Sequence, residues 1–162
     1  MSRLERLVLS IIRVTAYFGM LFIVIMMVIT VLHATGRYAF DKPILGLVEL
    51  SVICLVIAAS LVIPYSEALG RHITIGIIVD HLSQRGQAIV SSVSYILSLA
   101  FASVALWQAV VRGNFLIQHR QVSAILEIPD FPFLYVVAFG WGVFGLAIAM
   151  HLAHAIIRGL KR

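Results

Sequence analysis

The sequence predicts an all-α integral membrane protein with four transmembrane helices, cytoplasmic N- and C-termini, and a short interfacial segment between the second and third spans. Three observations predict it. First, 62% of the 162 residues are hydrophobic and only 12% are charged, whereas soluble domains run near ~45–50% apolar and ~25% charged. Second, the uncharged residues gather in four runs, Val14–Gly36, Leu50–Ser66, Gly86–Val111 and Phe131–Ile157, of 23, 17, 26 and 27 residues. A spanning helix needs ~20 such residues. Third, the charges between the runs are asymmetric. With the N-terminus inside, Arg3, Arg6, Arg13, Arg71, Arg85, Arg158, Lys161 and Arg162 fall on the inner side, against Arg37, Lys42, Arg112 and Arg120 outside. That bias follows the positive-inside rule. Acidic residues bring the balance to +5 inside and zero outside. The sequence pI near 9.9 is therefore a topology signal, and the partner it implies is a lipid bilayer, with no nucleic acid expected.

The chain is expected to form one membrane domain over 1–162, with spans at about 7–35, 44–63, 87–111 and 133–157. The first span follows three arginines and resembles a signal peptide, but its uncharged run exceeds the 7–15 residues of a signal core and lacks a cleavage-type ending, so it is read as retained. A short loop from Gly36 to Leu45 makes spans one and two an antiparallel hairpin, with Pro43 placed at the start of the second helix, where its fixed φ and missing N–H are tolerated. Asp41 is placed as the cap of that helix. Pro64 is expected to close the second span, because helices tend to stop before proline. The apolar stretch Ile73–Leu82 is too short to span; flanked by Arg71, His72 and Arg85, it reads as a segment along the inner leaflet over about 71–85. Span three carries Ser94, Ser98 and Ala102 at four-residue intervals, a small-residue face for close helix packing. Trp107 lies near its outer interface. Pro129 and Pro132 restrict the second outer loop, and span four contains Gly140, Gly142 and Gly145, again suited to close packing.

Chemistry-bearing patterns are few. Cys54 is the only cysteine, so no intramolecular disulfide can form, and it reads as a small core residue. A haem clamp needs two histidines at one depth, whereas His33 falls at the outer end of span one and His151 and His154 toward the inner end of span four. The last two, three apart on one helix, form a polar pair without a flanking carboxylate or cysteine. No phosphate-binding glycine loop, nucleophile elbow or HExxH is present, and neither catalysis nor a cofactor is expected. Glu49 stands out as a carboxylate roughly 10 Å into the second helix. A charge within a span is a functional hypothesis by default. Two readings are open: a coupling-ion site of a small proton-coupled antiporter, or a structural partner of Arg37 or of a basic group on another subunit. Its depth, outside the midplane where transporter sites gather, favours the structural reading.

Three local patterns together resemble the DctQ-like family, the small membrane subunits of tripartite ATP-independent periplasmic (TRAP) transporters. Arg37, Tyr38, Ala39 and Phe40 followed by Glu49 resemble its R-Y-x-F…E-E stretch. Arg71, His72, Ile73, Thr74 and Ile75 resemble its H-I-x-V segment, and Ser123, Leu126, Ile128, Pro129 and Gly140 its S/T-x-x-L-x-I-P…G run. The chain departs from that pattern at Gly46 (often Trp), Val48 (the first of the paired glutamates), Gly76 (Asp) and Ala138 (Pro). The resemblance implies a division of labour. A periplasmic solute-binding protein captures an organic-acid-type solute, a large multi-span subunit carries it inward on a sodium gradient, and the small subunit is a non-catalytic scaffold packed against the large one. It also implies the bacterial inner membrane, outer loops facing the binding protein, Arg37 and Glu49 orienting the outer hairpin, and Arg71, His72 and Arg85 anchoring the inner leaflet. The autonomous antiporter using Glu49 is the alternative, and a haem-binding anchor comes third.

Overall fold

Every described segment with regular structure is helical, as the hydrocarbon interior requires of an open chain that must satisfy its own backbone polar groups. The computed structural model describes residues 3–40, 45–68 and 84–160. Helix α1 runs Arg3–Phe40, α2 Leu47–Ala68, α3 Gln84–Gln118 and α4 Phe131–Leu160. All four are long and apolar enough to cross a membrane. At ~1.5 Å per residue, α1 and α3 reach ~57 and ~52 Å, well beyond a ~30 Å hydrocarbon core.

The helices form a row rather than a closed bundle. α1 packs on α2 and α3 packs on α4, α2 lies against α4, α1 touches α4 lightly, and α3 meets no other described helix. Two antiparallel hairpins are thus joined side by side through their second members. The seams follow from sequence spacing. Along α1 a recessed stripe runs through Ile12, Thr15, Gly19, Phe22, Met26, Ile29, His33 and Gly36, alternately three and four apart, with Ala16 and Ala34 recessed beside it. Along α3 such a stripe runs through Tyr95, Leu99, Ala102, Leu106, Ala109, Gly113 and Leu116 with the same alternation, flanked by Ser98, Ala105 and Val110. This spacing keeps one stripe facing a single neighbour. Near the α1 N-terminus Ile12 packs with Val143 and Ala147, so α1, α2 and α4 converge at the end opposite Glu49. Ala102, Phe144 and Ile148 form the α3–α4 core.

Several element boundaries differ from the sequence expectation. α1 continues past Gly36 to Phe40, which carries Arg37 in its last turn, where a cation meets the negative end of the helix dipole. α2 begins at Leu47, after a turn at Leu45 and Gly46; Pro43 and Asp41, expected at its start, lie outside the described residues. Pro64 does not end α2, which continues to Ala68 with Pro64 fully buried inside it. Proline is tolerated there because neighbouring helices pack around it and reorganise the backbone group it leaves unbonded. Arg71, His72 and most of the expected interfacial segment lie outside the described residues, while Arg85 belongs to the first turn of α3. Ser94 is exposed, whereas Ser98 is half-buried and Ala102 buried, and the packed face of α3 continues through Ala109 and Gly113.

Candidate functional site

Beside the contact of Ile12 with Val143 and Ala147, two places tie the hairpins together. The first is a crossing of α2 and α4. Pro64 has no N–H to give the Ser60 carbonyl four residues back, and that carbonyl faces Gly140. A Cβ on Gly140 would overlap the Ser60 carbonyl oxygen and lie 2.8 Å from its carbon. Only glycine lets the two backbones approach so closely, and the freed carbonyl can meet the Gly140 Cα–H. Gly142 and Gly145 face α3 instead, with Leu106 and Leu99 at 3.3 and 3.9 Å from an added Cβ. Within the α1–α2 pair, Gly19 packs closely on α2: a Cβ there would lie 2.6 Å from Val62 Cγ2 and 3.1 Å from the Ala58 carbonyl oxygen.

The second tie is polar and lies where α2 begins. Leaving α3, the chain makes a left-handed residue at Arg120 (φ 47°). Gln121 N–H donates to the Leu116 carbonyl (3.1 Å) and Arg120 N–H to that of Ile117 (3.2 Å). This is the Schellman closure of a helix end, here without glycine. The loop then folds on itself. Val122 bridges Pro129, Ser123 N–H donates to the Ile128 carbonyl at 2.8 Å, and Ile128 N–H donates back to Ser123 Oγ at 3.3 Å. Glu127 also takes a left-handed conformation (φ 52°).

This folding turns the amides of the loop tip toward α2. Ala124 N–H donates to Glu49 Oε1 and Leu126 N–H to Glu49 Oε2, both at 3.0 Å and across 75 and 77 residues of sequence. Each carboxylate oxygen thus receives a charge-assisted bond. Beside the carboxylate, Leu126 covers Gly46, whose φ of +87° and lack of a side chain make room; a Cβ there would lie 2.9 Å from Leu126 Cγ. The structure therefore joins residues from two of the family-like patterns: Glu49 from one, and Ser123, Leu126, Ile128 and Pro129 from another.

Arg37 is not part of this clasp. Its guanidinium donates to the Tyr38 hydroxyl at 2.7 Å and lies 4.6 Å from the ring centre of the same residue. The Arg37–Glu49 ion pair is replaced on both sides: Glu49 finds amides nearer than a guanidinium, and the extension of α1 to Phe40 sets Arg37 on an exposed turn.

Sequence reasoning did not foresee how Glu67 and His151 are packed. Glu67 is only 2% exposed. It lies seven residues beyond Ser60, on the face of α2 that meets α4, which shows only once α2 is known to pass through Pro64. His151 stacks on Tyr95, with centroids 6.1 Å apart and planes 8° from parallel. Of the His151–His154 pair, the His154 side chain lies outside the description. Among the described residues no three His, Cys, Asp or Glu converge as metal ligands.

Comparison with known proteins places this geometry. The family described as "Tripartite ATP-independent periplasmic transporters, DctQ component" matches residues 26–162. No curated protein matches the chain. The match covers α2, α3, α4, the clasp and the last 15 of the 38 residues of α1. The chain is a multi-pass membrane protein belonging to the DctQ family, a component of a tripartite transporter that also comprises a large membrane subunit and a binding protein.

Proposed function

We propose that this chain is the scaffold subunit of a sodium-driven secondary transporter for organic acids in the bacterial inner membrane. It acts without catalysis of its own. It packs on the large transport subunit and presents its outer loops to the periplasmic binding protein. The whole chain serves as one membrane domain with both termini cytoplasmic, and Arg71, His72 and Arg85 hold the inner leaflet.

The observation that carries this reading is the open row of helices. Only 6% of the spanning window of α3 is buried, against 33% for α2 and α4. Four helices arranged this way leave most of α3 and α1 for a neighbour and enclose little between them. The antiporter alternative gains no support from Glu49, whose two oxygens are taken by loop amides rather than turned toward a cavity.

The test is purification from mild detergent followed by reconstitution. This chain is expected to bring down a larger multi-span polypeptide, and vesicles holding this chain alone are expected to show no solute uptake. Uptake by the isolated chain would reverse the assignment. Glu49→Gln is expected to weaken assembly with the large subunit more than it alters ion coupling. Full co-purification together with lost sodium dependence would contradict that.

A further inference from the structure

The Glu49 clasp has two halves of different origin, and the loop half is built largely without Glu49. The Schellman closure at Arg120, the paired bonds between Ser123 and Ile128, the Val122–Pro129 bridge and the left-handed turn at Glu127 are all internal to the loop and the end of α3. Together they turn the Ala124 and Leu126 N–H groups to one side, 3.0 Å from the two oxygens of one carboxylate. Amides converging beside a left-handed residue form a backbone nest, a concavity that favours anions without any cationic side chain. Ser123, whose hydroxyl and N–H both bond Ile128, is itself 8% exposed, so the base of the loop is packed while Ala124, Ile125, Leu126 and Glu127 at its tip stay exposed.

We propose that the 122–129 loop is a preformed carboxylate-binding site, occupied from within the chain by Glu49. Occupancy ties the α3–α4 loop to the start of α2. When Glu49 is removed, the nest remains and takes up a small free carboxylate in its place. The ligand class follows from the geometry: two donors meeting two oxygens of one planar group select a carboxylate over a spherical anion such as chloride. The inference does not depend on the transporter assignment, since it concerns the loop's own conformation.

Hydrogen exchange at Ala124 and Leu126 in the full chain in detergent tests the proposal. Glu49→Ala is expected to raise exchange at these two amides about tenfold, the effect of losing a charge-assisted bond. Sodium formate is expected to restore most of the protection, and sodium chloride at equal ionic strength to restore none. The amides of Ala102 and Ala109 in the α3–α4 seam serve as the folding control. If Glu49→Ala disturbs that control, Glu49→Gln, which keeps the side-chain shape and one acceptor, is used for the same comparison. Unchanged exchange at Ala124 and Leu126 would overturn the clasp. Raised exchange that formate does not reverse, or that chloride reverses equally, would overturn the carboxylate site.

Discussion

The two ties between the hairpins work by opposite physics. At the Ser60–Gly140 crossing the contact is backbone against backbone, and what matters is the absence of a side chain. At the Glu49 clasp the contact is side chain to backbone, and what matters is the presence of a charge and two oxygens. The crossing lies deep in the membrane segment, where packing density and van der Waals contact hold helices together and no hydrophobic effect separates protein from lipid. The clasp lies where α2 begins, where exposed loop amides need partners and water is near. A steric tie of this kind fails abruptly when any bulk is added. A polar tie weakens by degrees as its acceptors are removed one at a time.

The comparison can be broken most severely at the crossing. Gly140→Val should force α2 and α4 apart, with a loss of about 3 kcal/mol or more, at the upper end of overpacking costs. A fall in the thermal midpoint of the detergent-solubilised complex, larger than for any other variant here, is the expected reading. Next comes Glu49→Ala, which should free the 122–129 loop and leave the seams intact. Limited proteolysis of that loop should rise while helix content by circular dichroism stays constant. Ser123→Ala removes one internal acceptor of the loop and should cost about 1 kcal/mol. It should also loosen the nest without abolishing it, so exchange at Ala124 should fall between wild type and Glu49→Ala. Smallest of all, Arg37→Gln should leave exchange at Ala124 and Leu126 unchanged and alter stability by less than ~0.5 kcal/mol, as expected of an exposed side chain bonded to its neighbour. A loss of loop protection in that variant would show that Arg37 supports the clasp after all.

A contrast between α3 and α4 sharpens the same lesson. Both are apolar and both read as spans, yet α4 is gripped from two sides and α3 from one. Their sequences hint at this through small residues. Gly140 faces α2, while Gly142 and Gly145 face α3, so one short glycine-rich stretch serves two neighbours. That stretch was legible as a packing surface, but which glycine meets which helix was not, because one-residue steps turn a helix by ~100° and the neighbours' positions are not written locally. The Ser94–Ser98–Ala102 face illustrates the converse: a regular small-residue spacing that packing does not use at its first member.

By itself the sequence determined that this protein is helical, that four of its helices are long and apolar enough to cross a membrane, and that it carries the marks of its family. Those properties follow from unbroken apolar runs and short motifs, and a helix satisfies its own backbone wherever hydrocarbon surrounds it. Tertiary structure alone decided that Glu49 binds the loop amides and not Arg37, that α2 passes through Pro64, and that the helices stand in an open row. Each of these depends on groups brought together across long stretches of chain, such as the 75 and 77 residues that separate Glu49 from its two donors. Local composition sets which groups need partners; only the packing of one helix on another sets which partner is within reach.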